Sequence, residues 1–252
     1  MTQSDILGAI HARRWFYEFD LPDGTRTRSY LPDGVERIHS TRLDMLWRGL
    51  APVVDGRWSE CSAVDIACHQ GFFASHLARK GCRDVLAIDA RGEHVGDTEL
   101  IAKAYGLSNL RTQCADIERL DPSQVGTFDI TLMLGLLYHI ENPVGAIRLA
   151  RALTRRACVI ETQVVPNMTG IVDWGAYTFQ RPMVASLGII DETAETHAPE
   201  ASMTGICLCP SYEALVWLLR KVGFASVERI EPPASGYEQH VSGKRVLVVA
   251  RA

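Results

Sequence analysis

Three aspartates follow short apolar runs in the first half of the sequence, and their positions suggest a site for a nucleoside. Asp65 lies in VDIA, Asp89 ends DVLAID, and Asp116 ends NLRTQCAD. If the runs are parallel strands, these carboxylates lie beyond the strands' carboxyl ends, where open α/β sheets bind ligands. Asp89 could then accept hydrogen bonds from ribose hydroxyls, and Asp116 from an adenine amino group, with Ile117 beside it. Each aspartate alone fits a solvated strand end, but the three together favour a site for an adenosine-type cofactor.

The loop after the first run departs from the glycine-rich fingerprint of dinucleotide-binding proteins. It reads ACHQGF (67–72), so Ala67 and His69 stand where two glycines would normally lie, and only Gly71 remains. A pyrophosphate needs close approach of the backbone, so this loop weakens a dinucleotide interpretation, whereas a cofactor without phosphates tolerates it better. The candidate cofactor-binding residues are Asp65, Ala67, Cys68, His69, Gly71, Phe72, Asp89, Ala90, Asp116, Ile117, Leu134 and Gly135.

A tyrosine and a histidine in GLLYHIENP (135–143) are the candidates for catalysis. Imidazole can accept a proton near neutral pH, so His139 is the candidate base. Tyr138 could orient the cofactor or a second substrate, the acceptor that reacts with it. The structural alternative for His139 is that it caps the next helix or hydrogen-bonds the loop. Three further candidates for acceptor binding are Glu161, Trp174 and Tyr177. The structural alternative for Glu161 is an exposed carboxylate at the end of a strand. For Trp174 and Tyr177 it is a small hydrophobic core formed within their own segment.

Alternating strands and helices must position these residues. Apolar runs predict strands at 62–67, 84–89, 109–116, 127–137, 156–164, 224–230 and 244–252. Helical patterns lie at 72–81, 93–106, 143–153 and 211–222. The repeated βαβ rhythm predicts an α/β fold with a Rossmann-like, doubly wound, seven-stranded, mostly parallel sheet. No clear helix separates the last two runs, so the C-terminal strand is expected to be antiparallel.

Two segments lie outside this rhythm. Residues 1–55 are predicted to form an N-terminal cap segment with a helix near 4–14, a short strand at Trp15–Phe19 and two Pro-Asp-Gly turns. A second helix is expected to start with Ser40 or Thr41 as its N-cap. The candidate site would belong to a second region, a domain at 56–252. Within it, residues 165–205 read as an insertion with local structure only, the kind of long segment that often acts as a lid.

Composition narrows the classes of function. The 252 residues carry a formal net charge of -4 and contain no long Lys/Arg run, so a dominant basic face for nucleic acid is not supported. Seven cysteines without a CxxC pair argue against a disulfide framework or a zinc site, and we predict no metal. No stretch reaches the roughly 18 apolar residues of a membrane helix. We therefore expect a cytoplasmic protein without a membrane partner, and the oligomeric state stays open.

The sequence resembles the class I S-adenosylmethionine-dependent methyltransferases. The resemblance rests on DIACHQG (65–71), ID (88–89), AD (115–116) and FDITLMLGLLYHIENP (128–143). More narrowly, it is similar to the group of the tRNA wobble-uridine (5-oxyacetyl/5-methoxyuridine) methyltransferase. Those matches are WFYEFDLPDG (15–24), GLLYHIENP (135–143), IETQV (160–164) and CPSYEALVWLLRKVGF (209–224). The resemblance covers most of the chain and implies S-adenosyl-L-methionine as the cofactor.

One departure from the narrower group bears on the cofactor. The resemblance implies a carboxylated cofactor there, with its extra carboxylate held by basic and tyrosine side chains. The segment similar to the arginine-bearing stretch reads MTGICLCPS (203–211), with Thr204 where an arginine is expected, although Tyr138 is retained. A carboxylate without a cationic partner would be poorly compensated. Ordinary S-adenosylmethionine is therefore favoured.

Four functions follow as alternatives. The favoured one is methyl transfer to a small-molecule acceptor at an O, N or C atom. A tRNA-modifying enzyme would need a basic surface, for which the candidates are Arg13, Arg14, Arg26, Arg28, Arg37 and Arg42. It would bind tRNA in a salt-sensitive way. A non-catalytic binding protein with a degenerate loop would not bind S-adenosylmethionine, and a nicotinamide-dependent oxidoreductase would prefer the other cofactor in a thermal-shift screen.

Overall fold

The predicted apolar runs form a seven-stranded sheet in this computed structural model, which describes residues 2–172, 175, 181–192, 202 and 204–252. The strands of the described residues are β1 (Ser62–Ile66), β2 (Asp84–Asp89), β3 (Leu110–Cys114), β4 (Phe128–Leu134), β5 (Thr154–Gln163), β6 (Gly170–Val172), β7 (Arg181–Met183), β8 (Leu187–Asp191), β9 (Ile206–Pro210), β10 (Ser226–Ile230) and β11 (Arg245–Arg251). The main sheet has the order β3-β2-β1-β4-β5-β11-β10, and β11 runs antiparallel to both neighbours. The predicted fold class is confirmed.

Helices cover both faces of this sheet. The described residues form α1 (Gln3–His11), α2 (Arg37–Val54), α3 (Phe72–Arg79), α4 (Gly92–Tyr105), α5 (Pro122–Val125), α6 (Pro143–Leu153), α7 (Tyr212–Lys221) and α8 (Glu238–Val241). Alternate strand residues face opposite layers, so Ala63 packs with α1 to α4 while Val64 packs with α6 and α7. The order reverses between β1 and β4, and this switch point places their carboxyl ends around one crevice.

The N-terminal segment differs from its prediction at Trp15–Phe19, which is not a strand. Only isolated bridges join Trp15 to Ser29 and Asp20 to Arg26. Side chains replace a strand ladder here: Gln70 Oε1 accepts from the backbone N–H of Phe16, and Thr27 Oγ1 accepts from that of Phe19. The alternation of the pattern is nevertheless meaningful, because its odd-numbered aromatic side chains are buried in the core, namely Trp15, Tyr17 and Phe19.

The second helix starts earlier than predicted. Its N-cap is Glu36, and it runs from Arg37 to Val54, so Ser40 and Thr41 lie inside it. The Ser40 hydroxyl donates to the Arg37 carbonyl within the first turn. The Thr41 hydroxyl instead accepts from the backbone N–H of Tyr237, which ties the helix to the C-terminal segment. Thr41 is thus not the predicted helix cap, because its hydroxyl makes a tertiary contact instead.

Two connecting segments carry more structure than predicted. Parts of the 165–205 insertion form the antiparallel pair β6–β7 and the strand β8, which pairs with β9. The connection between β10 and β11 was expected to lack a helix but contains α8, where His240 is fully buried. Trp174 and Tyr177, the two predicted aromatic acceptor residues, lie outside the described residues.

No helix in the described part of the chain is long and apolar enough to cross a membrane. The described residues also contain no group of three or more His, Cys, Asp or Glu side chains arranged to hold a metal ion. All seven cysteines are free, and Cys114 is the exposed one among them.

Gly71 at the start of α3 provides a first test of the fold. Its φ is +76°, and an added Cβ would lie 2.4 Å from the Thr98 Cγ2. Gly106 has φ +65° but open space around it. A left-handed alanine costs about 1–2 kcal/mol at either position, and overpacking adds about 1–3 kcal/mol. We expect urea denaturation to show that Gly71→Ala lowers the free energy of unfolding by more than Gly106→Ala. Equal losses would contradict the packing of this loop.

Candidate active site

A cavity of about 900 Å³ opens at the carboxyl ends of β1 to β5, between the N-terminal segment and the sheet. Such a volume lies within the usual range for ligand pockets, roughly 300–1,000 Å³. The predicted site residues that line it are Ala67, His69, Asp89, Ala90, Asp116, Ile117, Leu134, Gly135, Tyr138 and His139. Residues far apart in sequence therefore meet as expected, although their contacts with a cofactor stay a prediction.

The loop at 67–71 keeps a glycine-type backbone without the glycines. Ala67 has φ +56° and His69 has φ +51°, both in the left-handed region, and Gly71 follows with φ +76°. Glycine adopts this region without steric strain, whereas other residues do so at a cost of about 1–2 kcal/mol each. The departure from the fingerprint therefore changes side chains but not the course of the loop, which counts against a degenerate, non-binding site.

Asp89 lies at the tip of β2 and fixes the loop. Its Oδ2 accepts from the backbone N–H of His69 (2.8 Å), and its Oδ1 accepts from that of Arg91 (2.9 Å). The Nδ1 of His94 lies 3.1 Å from Oδ1. Burial alone would raise the pKa of Asp89, but these hydrogen bonds hold it below its usual value. A carboxylate has about four acceptor positions, so a ribose that uses both hydroxyls here must displace His94.

Several predicted cofactor residues lie behind the cavity wall. Asp65, Cys68 and Phe72 are buried, and the described lining includes neither them nor Gly71. Burial raises the pKa of Asp65 to about 8, helped by the charge of Asp89 and opposed by a hydrogen bond from the Ala74 backbone. The other oxygen of Asp65 has no hydrogen-bond partner among the described residues. Asp65 is thus placed to support the loop from behind.

Asp116 occupies the tip beyond β3 and keeps an accessible carboxylate. Its Oδ1 accepts from the backbone N–H of Glu118 (3.0 Å), and Arg119 lies 3.6 Å from Oδ2. The side chain is 47% exposed, so it can take up a further donor. Ile117 lies half-buried next to it on the cavity wall. This pairing of an acceptor with an apolar side chain suits an adenine ring.

His139 lies in a short 3-10 helix, Leu137–His139, that follows the turn at Gly135 after β4. Its Nδ1 is 2.6 Å from Oε1 of Glu192, whose side chain is 1% exposed. The other oxygen, Oε2, accepts from the Ser202 backbone N–H (2.8 Å) and the Cys207 thiol (3.3 Å). Sequence reasoning missed Glu192, because nothing in the spacing of the insertion distinguishes it from the neighbouring acidic residues.

Glu161 anchors a buried ionic network beneath the cavity. Arg42 and Arg245 each place a guanidinium nitrogen 3.0 Å from its carboxylate, and His240 Nε2 lies 3.0 Å away. Arg245 also donates to the Tyr138 hydroxyl (2.6 Å). Burial would raise the pKa of Glu161, but the two arginines and His240 hold it well below its ordinary value.

Glu161 therefore does not line the cavity among the described residues, contrary to its selection as an acceptor-binding residue. It instead holds Arg42 and Arg245, which both do line it. These two cations also correct the argument from Thr204, because the cavity does contain positive charge beside Tyr138. The cationic side chains come from α2 and β11, not from the segment at 203–211, where the sequence resemblance predicts an arginine.

Most of the N-terminal arginines considered for a nucleic-acid surface have local partners. Arg13 pairs with Asp97, and Arg26 pairs with Asp20 and Glu18. Other contacts occupy three more of the arginines: Arg14 lies over the Tyr30 ring, Arg37 donates to the Ser235 carbonyl, and Arg42 is buried against Glu161. Arg28 is exposed. The carboxylate partners of Arg13, Arg26 and Arg42 offset their charges, whereas Arg14 and Arg37 have uncharged partners and keep theirs.

Comparison with known proteins agrees with this geometry. A family model described as "Methyltransferase domain" matches residues 63–157. The crystal structure of the N-terminal domain of EvdMO1 with S-adenosylhomocysteine bound superposes with a TM-score of 0.72 at 18% identity, covering 100% of this chain and 98% of that one. The chain contains a class I methyltransferase domain. Solved structures with this fold include ones with S-adenosylhomocysteine bound, the product that S-adenosylmethionine leaves after methyl transfer.

Further similarities are weaker or partial. Magnesium protoporphyrin IX methyltransferase from Synechocystis PCC 6803 gives a TM-score of 0.56 at 14% identity and 89% coverage of both chains. A tRNA U34 carboxymethyltransferase from Desulfotalea psychrophila is 22% identical over 94% of this chain and 70% of its own length. That from Alteromonas mediterranea is matched over 59% of its length. A ubiquinone biosynthesis O-methyltransferase from Neisseria meningitidis is 23% identical over 40% of this chain and 44% of its own.

Asp89→Ala tests the placement of the nucleoside. We expect calorimetry to show that S-adenosylhomocysteine binds the variant more weakly by about 1–3 kcal/mol, because a hydrogen bond to a charged group is lost. Asp84→Ala, at the opposite end of the same strand, is the matched control and should bind as the unaltered protein does. Unchanged affinity in Asp89→Ala would place the ribose elsewhere.

Glu161→Gln tests the ionic network. Leaving two buried arginines without their carboxylate should lower the free energy of unfolding at pH 7 by about 3–5 kcal/mol. Because folding depresses the pKa of Glu161, its contribution is fully present above its unfolded pKa of about 4.3, declines below that pH and is lost as pH falls through the folded pKa. Urea denaturation at pH 7 and pH 3 should therefore show a smaller difference at pH 3.

The exposed Glu213→Gln serves as the control for that comparison and should change stability by less than about 0.5 kcal/mol. A difference for Glu161→Gln that does not depend on pH would show that the carboxylate is not held ionised by its neighbours.

Proposed function

We propose that this methyltransferase transfers the methyl group of S-adenosylmethionine to a small-molecule acceptor in the cavity beside His139. The observation that carries the proposal is that Asp89, Asp116 and His139 line one cavity, which the N-terminal segment borders. Phe16, Tyr17 and Tyr30 line the same cavity from that segment. A concave, partly aromatic pocket of this volume suits a compact acceptor.

The residues present fit the donor. Asp89 and Ala90 would hold the ribose, and Asp116 with Ile117 would hold the adenine. The backbone of the loop at 67–71 would approach the methionine part. The support is the exposed carboxylate of Asp116, the remaining acceptor position on Asp89 and the left-handed course of the loop. The donor supplies a methyl group on a positively charged sulfur, which is already an activated leaving group.

The chain's own residues then have two tasks, to position the acceptor and to take up a proton. Positioning accounts for much of the rate, since holding reactants in line replaces a bimolecular encounter. His139 would remove a proton from the acceptor as it reacts. Tyr138, whose hydroxyl accepts a hydrogen bond from Arg245, would orient the acceptor with its own O–H. The aromatic rings of Phe16, Tyr17 and Tyr30 would exclude water from the cavity.

The acceptor can be sought among sugars first. The N-terminal domain of EvdMO1 has been crystallised in the presence of S-adenosylhomocysteine and D-fucose, and it superposes on this chain with a TM-score of 0.70 at 19% identity. That similarity establishes the fold alone, so D-fucose serves only as the first probe. A panel of monosaccharides, phenols and amines with an isotope-labelled methyl donor would extend the search by mass spectrometry.

A tRNA acceptor is the second candidate, and two observations favour it. The similarity to tRNA U34 carboxymethyltransferases extends over most of the chain. The cavity also holds Arg42 and Arg245 next to Tyr138, which could compensate the carboxylate of a carboxylated donor. Competition calorimetry between S-adenosylmethionine and its carboxylated analogue, together with tRNA as a probe acceptor, separates the two candidates. Salt-sensitive tRNA binding and preference for the carboxylated donor would replace the small-molecule proposal.

His139→Gln tests the base. With whichever probe accepts the methyl group, we expect kcat to fall by about 10²–10⁴-fold, the usual contribution of a general base. Affinity for S-adenosylhomocysteine should be unchanged, because the nucleoside binds at the other strand tips. The exposed His11→Gln is the control and should keep full activity. Full activity in His139→Gln would reduce the histidine to a structural role.

A further inference from the structure

The pair of His139 and Glu192 is assembled from two separate parts of the chain. His139 belongs to the loop after β4, within the methyltransferase core, whereas Glu192 follows β8 in the insertion. Their side chains meet through Nδ1 and Oε1 at 2.6 Å, with exposed side-chain fractions of 13% and 1%. An ion pair this well shielded from water is held by its surroundings rather than by chance contact of two long side chains.

The hairpin of β8 and β9 fixes the carboxylate in place. Asp191, the residue before Glu192, pairs with Ile206 at the end of the hairpin. The backbone N–H of Ser202 and the thiol of Cys207 both donate to Glu192 Oε2. A backbone hydrogen bond from Leu208 to the Ile140 carbonyl (3.0 Å) then fastens β9 to the loop of His139. The two parts of the chain that carry the pair are therefore joined by a backbone hydrogen bond as well.

The contact also selects one form of the imidazole ring. An ionised carboxylate only accepts hydrogen bonds, so the ring nitrogen facing it must carry a proton. At 2.6 Å from Oε1 of an ionised carboxylate, Nδ1 is the nitrogen expected to hold the proton, which leaves the lone pair of the neutral ring on Nε2. Burial would raise the pKa of Glu192, but the hydrogen bond and charge of His139 keep it below the usual value, so the carboxylate stays ionised at neutral pH.

We propose that Glu192 is a positioning residue that holds His139 as a general base acting through Nε2, and that the acceptor atom is a hydroxyl oxygen. This inference rests on the proposed function. It adds a positioning residue and names the acceptor atom that the proposed function left open. The carboxylate fixes the ring orientation and stabilises the imidazolium that forms when the ring takes up a proton.

The choice of hydroxyl follows from what a base is needed for. An amine acceptor attacks with a lone pair and can lose its proton to water afterwards, and a thiol with a pKa near 8.5 is partly ionised beforehand. An alcohol neither ionises at neutral pH nor becomes a good nucleophile without giving up its proton as it reacts. A histidine oriented by a buried carboxylate supplies that proton acceptor.

The step balances without any further reactant. The hydroxyl oxygen forms a bond to the methyl carbon while the carbon–sulfur bond breaks, and the bonding pair stays on sulfur. The hydroxyl proton moves to Nε2 of His139, and the imidazolium later releases it to solvent. The products are a methyl ether, S-adenosylhomocysteine and one proton.

Other titratable groups surround this pair and must be separated from it in a test. Tyr138 lies with its ring 4.0 Å from that of His139, and Cys207 contacts Glu192. Glu118, Arg119 and Glu141 line the same cavity. Glu141 is exposed and lies two residues from His139 in sequence, which makes Glu141→Gln the matched control for removing a negative charge near the ring without touching the pair.

The test is ¹⁵N NMR of the full chain labelled at histidine, with the His139 signals assigned by their loss in His139→Gln. In the unaltered protein we expect Nδ1 to carry the proton and Nε2 to be unprotonated in the neutral ring. In Glu192→Gln the preference should weaken or reverse and the pKa of His139 should fall, while Glu192→Asp and Glu141→Gln should stay closer to the unaltered protein. This readout needs no acceptor, so it is independent of whether the methyl acceptor has been found.

A proton on Nε2 in the unaltered protein would overturn the proposal even if Glu192→Gln failed to fold. An unchanged tautomer and pKa in a folded Glu192→Gln would overturn it as well. On a probe that accepts the methyl group, Glu192→Gln should lower kcat at least tenfold with little change in KM and shift the acidic limb of the pH profile to lower pH. If amine probes were methylated as fast as hydroxyl probes, the hydroxyl assignment would be refuted. If no probe accepted the methyl group, that result would count against the proposed function and not against the role of Glu192.

Discussion

The buried carboxylate of Glu161 is the interaction on which the geometry of the cavity depends. It lies in β5 and holds Arg42 of α2, His240 of α8 and Arg245 of β11 at one point, so that the N-terminal segment, the sheet and the C-terminal segment cannot move independently. Removing a charge from water is tolerated only when partners surround it, and here those partners also form the cavity wall. Arg245 extends the network to the Tyr138 hydroxyl. The position of the loop that carries Tyr138 is therefore tied to the same carboxylate that holds Arg42 of the N-terminal segment.

The sheet and the strand-tip acids could be predicted because they follow from local patterns. Buried parallel strands read as apolar runs, and an aspartate at the end of such a run must lie at the ligand-binding edge. The prediction was wrong at Trp15–Phe19, where Gln70 and Thr27 satisfy the backbone in place of a neighbouring strand. It was also wrong about the start of α2, because Thr41 serves a tertiary contact with Tyr237. In each case a partner distant in sequence decided what local propensity could not.

The same limit explains which parts of the candidate site were missed. His139 could be selected from its place after β4, but Glu192 reaches it from an insertion whose sequence carries no periodic signal. Arg245 looked like the polar start of a strand, and Glu161 like a strand-end carboxylate, until the antiparallel pairing of β5 with β11 brought them together. Ala67 and His69 keep a left-handed backbone, which the sequence alone does not predict for residues other than glycine. Replacing these glycines changes the side chains of the loop, but the structure shows that its backbone conformation is still the one glycine favours.

In the proposed function, the acids beyond β2 and β3 hold the nucleoside of the methyl donor while His139 faces its sulfur. The most direct measurement is a crystal structure of the complex with S-adenosylhomocysteine. We expect the ribose hydroxyls within hydrogen-bond distance of Asp89, the adenine amino group near Asp116, and the sulfur directed toward the part of the cavity lined by Tyr138 and His139. A nucleoside bound away from these strand tips, or a sulfur directed away from His139, would contradict it.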